Sequence, residues 1–111
     1  MSPTVRLRSS AAIRDVFAGR HASGSTHVVT HARRRDDSAT AVAVIAGRRV
    51  GNAVLRNRVK RRLRACLAAT DLPPGVDLVI SGKSGADTAP FGQLRNEVSG
   101  SIQRAVRRVM N

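Results

Sequence analysis

The sequence is poor in the residues that build disulfide scaffolds and aromatic cores. Its 111 residues include one cysteine, two phenylalanines and neither tryptophan nor tyrosine. A single cysteine excludes an internal disulfide, and we expect Cys66, which falls among apolar neighbours in a predicted helix, to be a small buried core residue rather than a reactive thiol. The core must therefore consist of Val, Leu, Ile and Ala. This length suits one hydrophobic core, so we predict a single domain over residues 1–111.

Acidic residues are also scarce, with 7 Asp and Glu against 20 Lys and Arg. Metal-dependent cleavage of a phosphodiester requires clustered carboxylates, and the only adjacent pair, Asp36 and Asp37, falls in a predicted loop beside three arginines. The histidines, His21, His27 and His31, lack the cysteine or acidic partners of a zinc site. We therefore expect neither catalytic residues nor a metal site on this chain alone.

Long apolar runs are missing as well. No stretch approaches the roughly 20 residues that span a bilayer, and the N-terminus lacks the apolar core of a signal peptide. No basic helix carries the bulky apolar face that binds an anionic membrane surface. The net charge of +13 nevertheless calls for a polyanionic partner, and nucleic acid is the leading candidate. We expect a cytoplasmic protein that binds no membrane.

Apolar periodicity predicts three helices and at least three strands. The predicted helices cover residues 11–19 after a Ser9 or Ser10 cap, residues from Asn52 to near Thr70, and residues from Pro90 onward. The predicted strands cover 26–32, 39–46 and 76–81, with 33–38 as a hairpin loop. This order predicts an α+β fold, a two-layer sandwich of helices on a sheet.

The segment from Gly47 to Leu67 carries eight basic residues and no acidic one. Leu55, Val59 and Leu63 recur at helical spacing, so one helix can bury this stripe and expose a continuous cationic surface. Nothing supplies the i to i+4 ion pairs of a merely solvated helix. We interpret the segment as a polyanion-binding surface. Arg56, Lys60 and Arg64 are predicted to form one stripe, with Arg58, Arg61 and Arg62 beside the apolar seam.

Gly51 and Asn52, just before this helix, are candidate binding residues for reasons other than charge. Gly51 can adopt positive φ or let the backbone approach another surface. Asn52 can cap the helix and can also hydrogen-bond a phosphate or a base edge.

Residues 47–64, GRRVGNAVLRNRVKRRLR, resemble the signature of the bacterial ribonuclease P protein subunit. The shared series is a basic pair, Gly-Asn-Ala-Val, Arg-Asn-Arg, Lys-Arg and a final Arg. Residues 6–8, 15–19 and 75–80 and the last helix are similar to other parts of the same family. The resemblance covers nearly the whole chain.

The resemblance implies a fold and a function. The fold is a central four-stranded mixed sheet with the order α-β-β-β-α-β-α, in which the basic helix joins parallel strands by a left-handed crossover, against the usual handedness. The function is that of an accessory subunit, which helps a catalytic RNA remove the 5′ leader from precursor tRNA. The implied partners are the catalytic RNA and precursor tRNA, without an obligate protein partner. Magnesium would be held by the RNA–protein complex, not by the protein alone.

The resemblance also implies two binding surfaces. The surface for the catalytic RNA comprises Arg48, Arg49, Gly51, Asn52, Arg56, Asn57, Arg58, Lys60, Arg61, Arg62 and Arg64. The leader cleft lies between the first helix and the sheet and comprises Ile13, Phe17, Val28, Thr30 and Val44.

The family often has aromatic residues in this cleft, where they stack on bases. This sequence offers Ile13 and Thr30 at the matching positions and keeps Phe17. His27 and His31 can replace the missing aromatics if they share a strand face.

Two other classes remain open on composition alone. One is a structural RNA-binding protein of ribosomal type, and the other is a DNA-binding module with the basic helix in a major groove. Neither class requires the Gly-Asn-Ala-Val and Arg-Asn-Arg series, which favours the ribonuclease P interpretation.

Overall fold

The structure is a computed structural model that describes residues 4–19 and 21–110. The strands are β1 (Thr4–Arg6), β2 (Ala22–Gly24), β3 (Val28–Arg34), β4 (Thr40–Ala46) and β5 (Val76–Gly82). The helices are α1 (Ser10–Ala18), α2 (Ala53–Ala68) and α3 (Phe91–Met110), and a 3-10 turn over Arg48–Val50 links β4 to α2. From α1 onward this order matches the one that the sequence and the resemblance predicted.

The five strands form one mixed sheet in the order β1-β4-β5-β3-β2. β4 runs parallel to β5 and β1 parallel to β4, whereas β3 is antiparallel to both β5 and β2. The chain leaves β4, forms α2 and returns as β5, so the predicted helical crossover between parallel neighbours is confirmed. The α+β sandwich class is confirmed too.

The two faces of the sheet carry different helices. Val28, Leu78 and Ile80 belong to the main core, which they share with residues of α2 and α3. The neighbouring Val79 packs with Val16 of α1 in a second, smaller cluster. Because side chains alternate along a strand, α1 covers the face of the sheet opposite to α2 and α3.

The sheet has five strands where the resemblance implied four. β1 and β2 are three residues long, and such short segments carry no alternating apolar pattern that would reveal them. The hairpin loop predicted at 33–38 is wrong, because β5 lies between β3 and β4. β5 is buried over Val76–Ile80, and a strand buried on both faces stands in the middle of a sheet.

α3 is tied to the β2–β3 hairpin by the carboxylate of Glu97. It accepts hydrogen bonds from the Ser25 hydroxyl at 2.9 Å and from the His27 backbone N–H at 2.7 Å. The His27 ring nitrogen Nδ1 lies 2.7 Å from the other oxygen, which also accepts from Gln93. Burial alone would raise the pKa of Glu97, but these bonds outweigh it and lower the pKa to about 2.

Candidate nucleic-acid interface

α2 combines a buried apolar seam with an exposed basic face. Val59, Leu63 and Cys66 are fully buried against the sheet and α3. The residues on the opposite side are exposed and form what we call the α2 basic face, namely Asn57, Arg58, Arg61 and Arg64. No ion pair joins an α2 side chain to any residue in 4–19 or 21–110, so within that part of the chain these charges have no counter-charge.

The predicted stripes are partly wrong. Arg56 and Lys60 are half-buried at one border of the face, while Arg61 lies at its exposed centre rather than beside the seam. The Nε of Arg56 is buried and has no hydrogen-bond partner among the described residues. A buried donor of this kind costs free energy until a partner supplies an acceptor. Arg48 and Arg49 are exposed in the 3-10 turn just before the helix.

The start of α2 depends on Gly51 and Asn52. Gly51 has φ 138° and ψ −153°, a conformation that is essentially restricted to glycine. A Cβ at this position would lie 2.6 Å from Cδ1 of Leu55. The side-chain oxygen of Asn52 accepts the Leu55 N–H at 3.0 Å and caps the helix. The predicted positive φ and the predicted cap are therefore confirmed, and the cap leaves the amide NH₂ of Asn52 and the second lone pair of its oxygen for a ligand.

Arg62 has a different role from its basic neighbours. Its guanidinium donates to the backbone oxygens of Ala86, at 2.5 Å, and of Ala89. These bonds fasten α2 to the segment that leads into α3. The prediction placed Arg62 on the RNA-binding surface, but the structure places its guanidinium in contacts within the protein.

The opposite face of the sheet carries an aromatic pair next to α1. The rings of Phe17 and His31 have centroids 4.4 Å apart in an edge-to-face arrangement, and Phe17 is 37% exposed. Burial lowers the pKa of His31, so its imidazole is neutral near pH 7. Ile13 packs nearby against a cluster of Val16, Ala43 and Val79. We call the surface formed by Ile13, Phe17 and His31 the α1 cleft.

Three residues predicted for this cleft lie on the wrong face. Val44 packs against the main core that the sheet shares with α2 and α3. Val28 is fully buried beneath α3, and the Thr30 hydroxyl lies 2.7 Å from that of Ser101 of α3. His31 is the cleft residue of β3 because it points opposite to Thr30 in the two-residue alternation of a strand. His27 does not share its face, since the Glu97 contact turns it toward α3.

A groove of about 570 Å³ connects the two surfaces around the edge of the sheet. β1 pairs only with the first three residues of β4, and beyond Val42 this edge is uncovered by β1. Basic side chains line the groove and an apolar floor closes it. The lining includes the basic residues Arg6, Arg8 and Arg64 and the apolar residues Ile13, Val44 and Leu67. This β1–β4 groove therefore joins Arg64 of the α2 basic face to Ile13 of the α1 cleft, and Val44, predicted for the leader cleft, lies in it.

The described residues contain no group of three or more His, Cys, Asp or Glu side chains that could hold a metal ion. Among the same residues, no helix is both long enough and apolar enough to cross a membrane.

Comparison with known proteins places this arrangement in a family. A family model described as Ribonuclease P matches residues 1–106. The Ribonuclease P protein component of Kocuria rhizophila is 36% identical over 105 residues, which are 93% of each chain. That of Clavibacter michiganensis is also 36% identical, over 94% of this chain and 95% of its own.

Solved structures agree on the fold. The RNase P protein from Thermotoga maritima superposes with a TM-score of 0.78 at 20% identity, covering 89% of this chain and 96% of that one. A mutant Staphylococcus aureus RNase P protein gives a TM-score of 0.80 at 18% identity, covering 91% and 87%. With the family model and the sequence relatives, these findings show that the chain belongs to the ribonuclease P protein family.

Proposed function

We propose that the chain binds the catalytic RNA of ribonuclease P with its α2 basic face and the 5′ leader of precursor tRNA with its α1 cleft. It thereby assists the RNA-catalysed, magnesium-dependent cut that produces the mature 5′ end of tRNA. The observation that carries this proposal is the exposure of Arg58, Arg61 and Arg64 on one side of a helix that contains no acidic residue.

The α2 basic face suits an RNA backbone for electrostatic reasons. Guanidinium groups bind phosphate oxygens in bidentate geometry, and each neutralised phosphate releases counterions. The buried, partnerless Nε of Arg56 supports a partner at the border of this face, because a phosphate or carbonyl oxygen would satisfy it. Arg48, Arg49 and Lys60 extend the same positive surface. Arg62 is left out of this surface because its guanidinium is held by Ala86 and Ala89.

The α1 cleft and the β1–β4 groove suit a single strand of RNA. An unpaired base can stack on the exposed part of the Phe17 ring and on the neutral ring of His31, which together replace the aromatics that the first helix and strand lack. The groove adds an apolar floor beside Arg6, Arg8 and Arg64. A leader that leaves the cleft along this groove would meet the catalytic RNA at α2.

The chemistry of cleavage belongs to the RNA in this proposal. The protein's carboxylates are scattered, and its best-defined acid, Glu97, is occupied by Ser25 and His27. The chain's own contribution is to neutralise phosphates and to position the leader. Magnesium, held by the RNA–protein complex, would supply the activated nucleophile and stabilise the leaving oxygen.

The experiment that tests the α2 surface measures affinity for a bacterial ribonuclease P RNA against salt concentration. We expect Arg61→Glu to weaken binding and to reduce the slope of log K against log salt by about 1. Arg108→Glu is the matched control, because it makes the same change of charge on an exposed position of α3. Equal losses from both variants would contradict a specific α2 surface.

A second measurement tests the cleft. Phe17→Ala should reduce the preference of the reconstituted complex for precursor over mature tRNA by about three- to tenfold, since a stacked base contributes about 1 kcal/mol or more. Binding of the catalytic RNA alone should not change. If Phe17→Ala and Arg61→Glu weakened both interactions equally, the two surfaces would not be separate.

A further inference from the structure

A second groove lies on the helical side of the molecule, between α3 and the segment that follows α2. It has two adjoining compartments, of about 550 and 230 Å³. The larger has an apolar floor that includes Leu72, Ile102 and Val106. The smaller is polar and contains Arg95. Asp71, Ser99 and Gln103 border both compartments, so the two form one continuous α2–α3 groove.

Arginines stand at both ends of this groove. Arg95 lies in the smaller compartment and Arg107 in the larger. Their separation of twelve positions along α3 corresponds to about 18 Å. Both arginines are exposed, and neither forms an ion pair with a described residue.

The groove begins at the C-terminal end of α2, where Ala69 and Thr70 line the smaller compartment together with Arg95. Arg64, the last residue of the α2 basic face, lies five residues before Ala69.

We propose that the α2–α3 groove binds a short segment of single-stranded RNA, with its phosphates on Arg95 and Arg107 and an unstacked base on the apolar floor. The occupant is RNA rather than an apolar peptide because cationic side chains close both ends, on a protein of net charge +13. This site is separate from the leader cleft, which lies on the other face of the sheet.

Asp71 gives the groove a base preference. A carboxylate repels phosphate but accepts a hydrogen bond from an exocyclic amino group such as N4 of cytosine. Uracil has no such donor and offers only an oxygen at the same place. The groove should therefore prefer cytosine to uracil, and Asp71 should be the residue that causes the preference.

The test is an NMR titration of the full 11.8 kDa chain with hexacytidylate and, separately, hexauridylate. The backbone amides of Ser99, Gln103 and Arg107 report on the groove alone, even while RNA also occupies the α2 basic face. We expect these amides to shift saturably, with hexacytidylate binding about threefold more tightly, as one hydrogen bond of about 0.7 kcal/mol implies. Asp71→Ala should abolish the difference.

Arg107→Glu and Arg108→Glu form a matched pair. They are neighbours on one helix and change the charge equally, but only Arg107 lines the groove. We expect about a tenfold loss of groove affinity for Arg107→Glu, and at most about twofold for Arg108→Glu at about 0.15 M salt, where screening acts over about 8 Å. Ser99→Leu, which fills the junction without a change of charge, should also abolish the shifts while α3 keeps its native amide spectrum.

Three results would overturn the proposal. The first is equal loss from Arg107→Glu and Arg108→Glu, and the second is a set of shifts confined to α2. The third is a change of the groove amides with protein concentration in the absence of RNA, which would identify a second copy of the chain as the occupant. None of these depends on cleavage activity, so failure here is distinguishable from failure of the proposed ribonuclease P function.

Discussion

Substitution of Gly51 by alanine tests how the backbone sets the start of α2. An alanine at φ 138° and ψ −153° would cost about 1–3 kcal/mol in backbone strain. Its Cβ would lie 2.6 Å from Cδ1 of Leu55, a flexible methyl that can move at a cost of about 1 kcal/mol. The smaller entropy of the unfolded alanine chain returns about 0.4–1 kcal/mol. We expect a net loss of about 2 kcal/mol in the free energy of unfolding.

Chemical denaturation measures this loss, and a thermal scan should show a fall in Tm of about 10 °C. The control is Gly47→Ala at the other end of the same 3-10 turn. Gly47 has φ −82° and open space around its Cβ position, so its replacement should leave stability unchanged or slightly higher. Equal stability of the two variants would refute the argument that positive φ at Gly51 holds the turn in place. A loss confined to Gly51→Ala, with weaker binding of catalytic RNA, would support it.

Three further outcomes follow from the packing. Gly82→Ala would place a Cβ 2.5 Å from Cγ1 of Val59 and should destabilise the fold by about 1–3 kcal/mol. Gly92→Ala, whose Cβ would meet open space, should not destabilise it. Chemical denaturation curves of the two variants measure the difference. The pKa of Glu97 is about 2 in the folded chain against 4.5 ordinarily, so its ionised form contributes at most about 3 kcal/mol to the free energy of unfolding. This contribution is complete above about pH 4.5 and is lost as the pH falls toward 2. Glu97→Gln should therefore flatten that part of a curve of stability against pH. The thiol of Cys66 is fully buried with a raised pKa, so its labelling by a thiol reagent should be slow and should accelerate with denaturant, and rapid labelling of the native chain would contradict the packing.

The sequence was most informative where one residue pattern served both core and surface. The spacing of Leu55, Val59 and Leu63 predicted the phase of α2, and Asn52 predicted its cap. Both are local properties, which depend on residues within one or two turns of the helix. The placement of the basic residues along one helix could therefore be predicted without knowledge of the fold.

Properties that depend on strand pairing could not be predicted from the sequence. The sequence did not show that β5 separates β3 from β4, because pairing joins residues distant in the chain. It also assigned the wrong face of β3 to the predicted cleft, naming Val28 and Thr30 where the structure turns His31 toward Phe17. A shift by one residue reverses the face of every side chain in a strand. Only contact with α1 reveals which face forms the cleft.

The contacts of Arg62 depend on distant residues in a similar way. Its charge fits the basic series, but its function in the fold depends on the carbonyls of Ala86 and Ala89, which lie more than twenty residues further along the chain. Residue type and spacing describe what an arginine can bind. They do not describe which acceptors the fold brings to it.

The most direct test of the account is reconstitution. The purified chain is added to a bacterial ribonuclease P RNA at low magnesium concentration, and release of the 5′ leader from precursor tRNA is followed. We expect the chain to accelerate release only when the RNA is present, and Arg61→Glu to reduce this effect more than Arg108→Glu does. Failure of the chain to stimulate cleavage, or cleavage by the chain without the RNA, would contradict it.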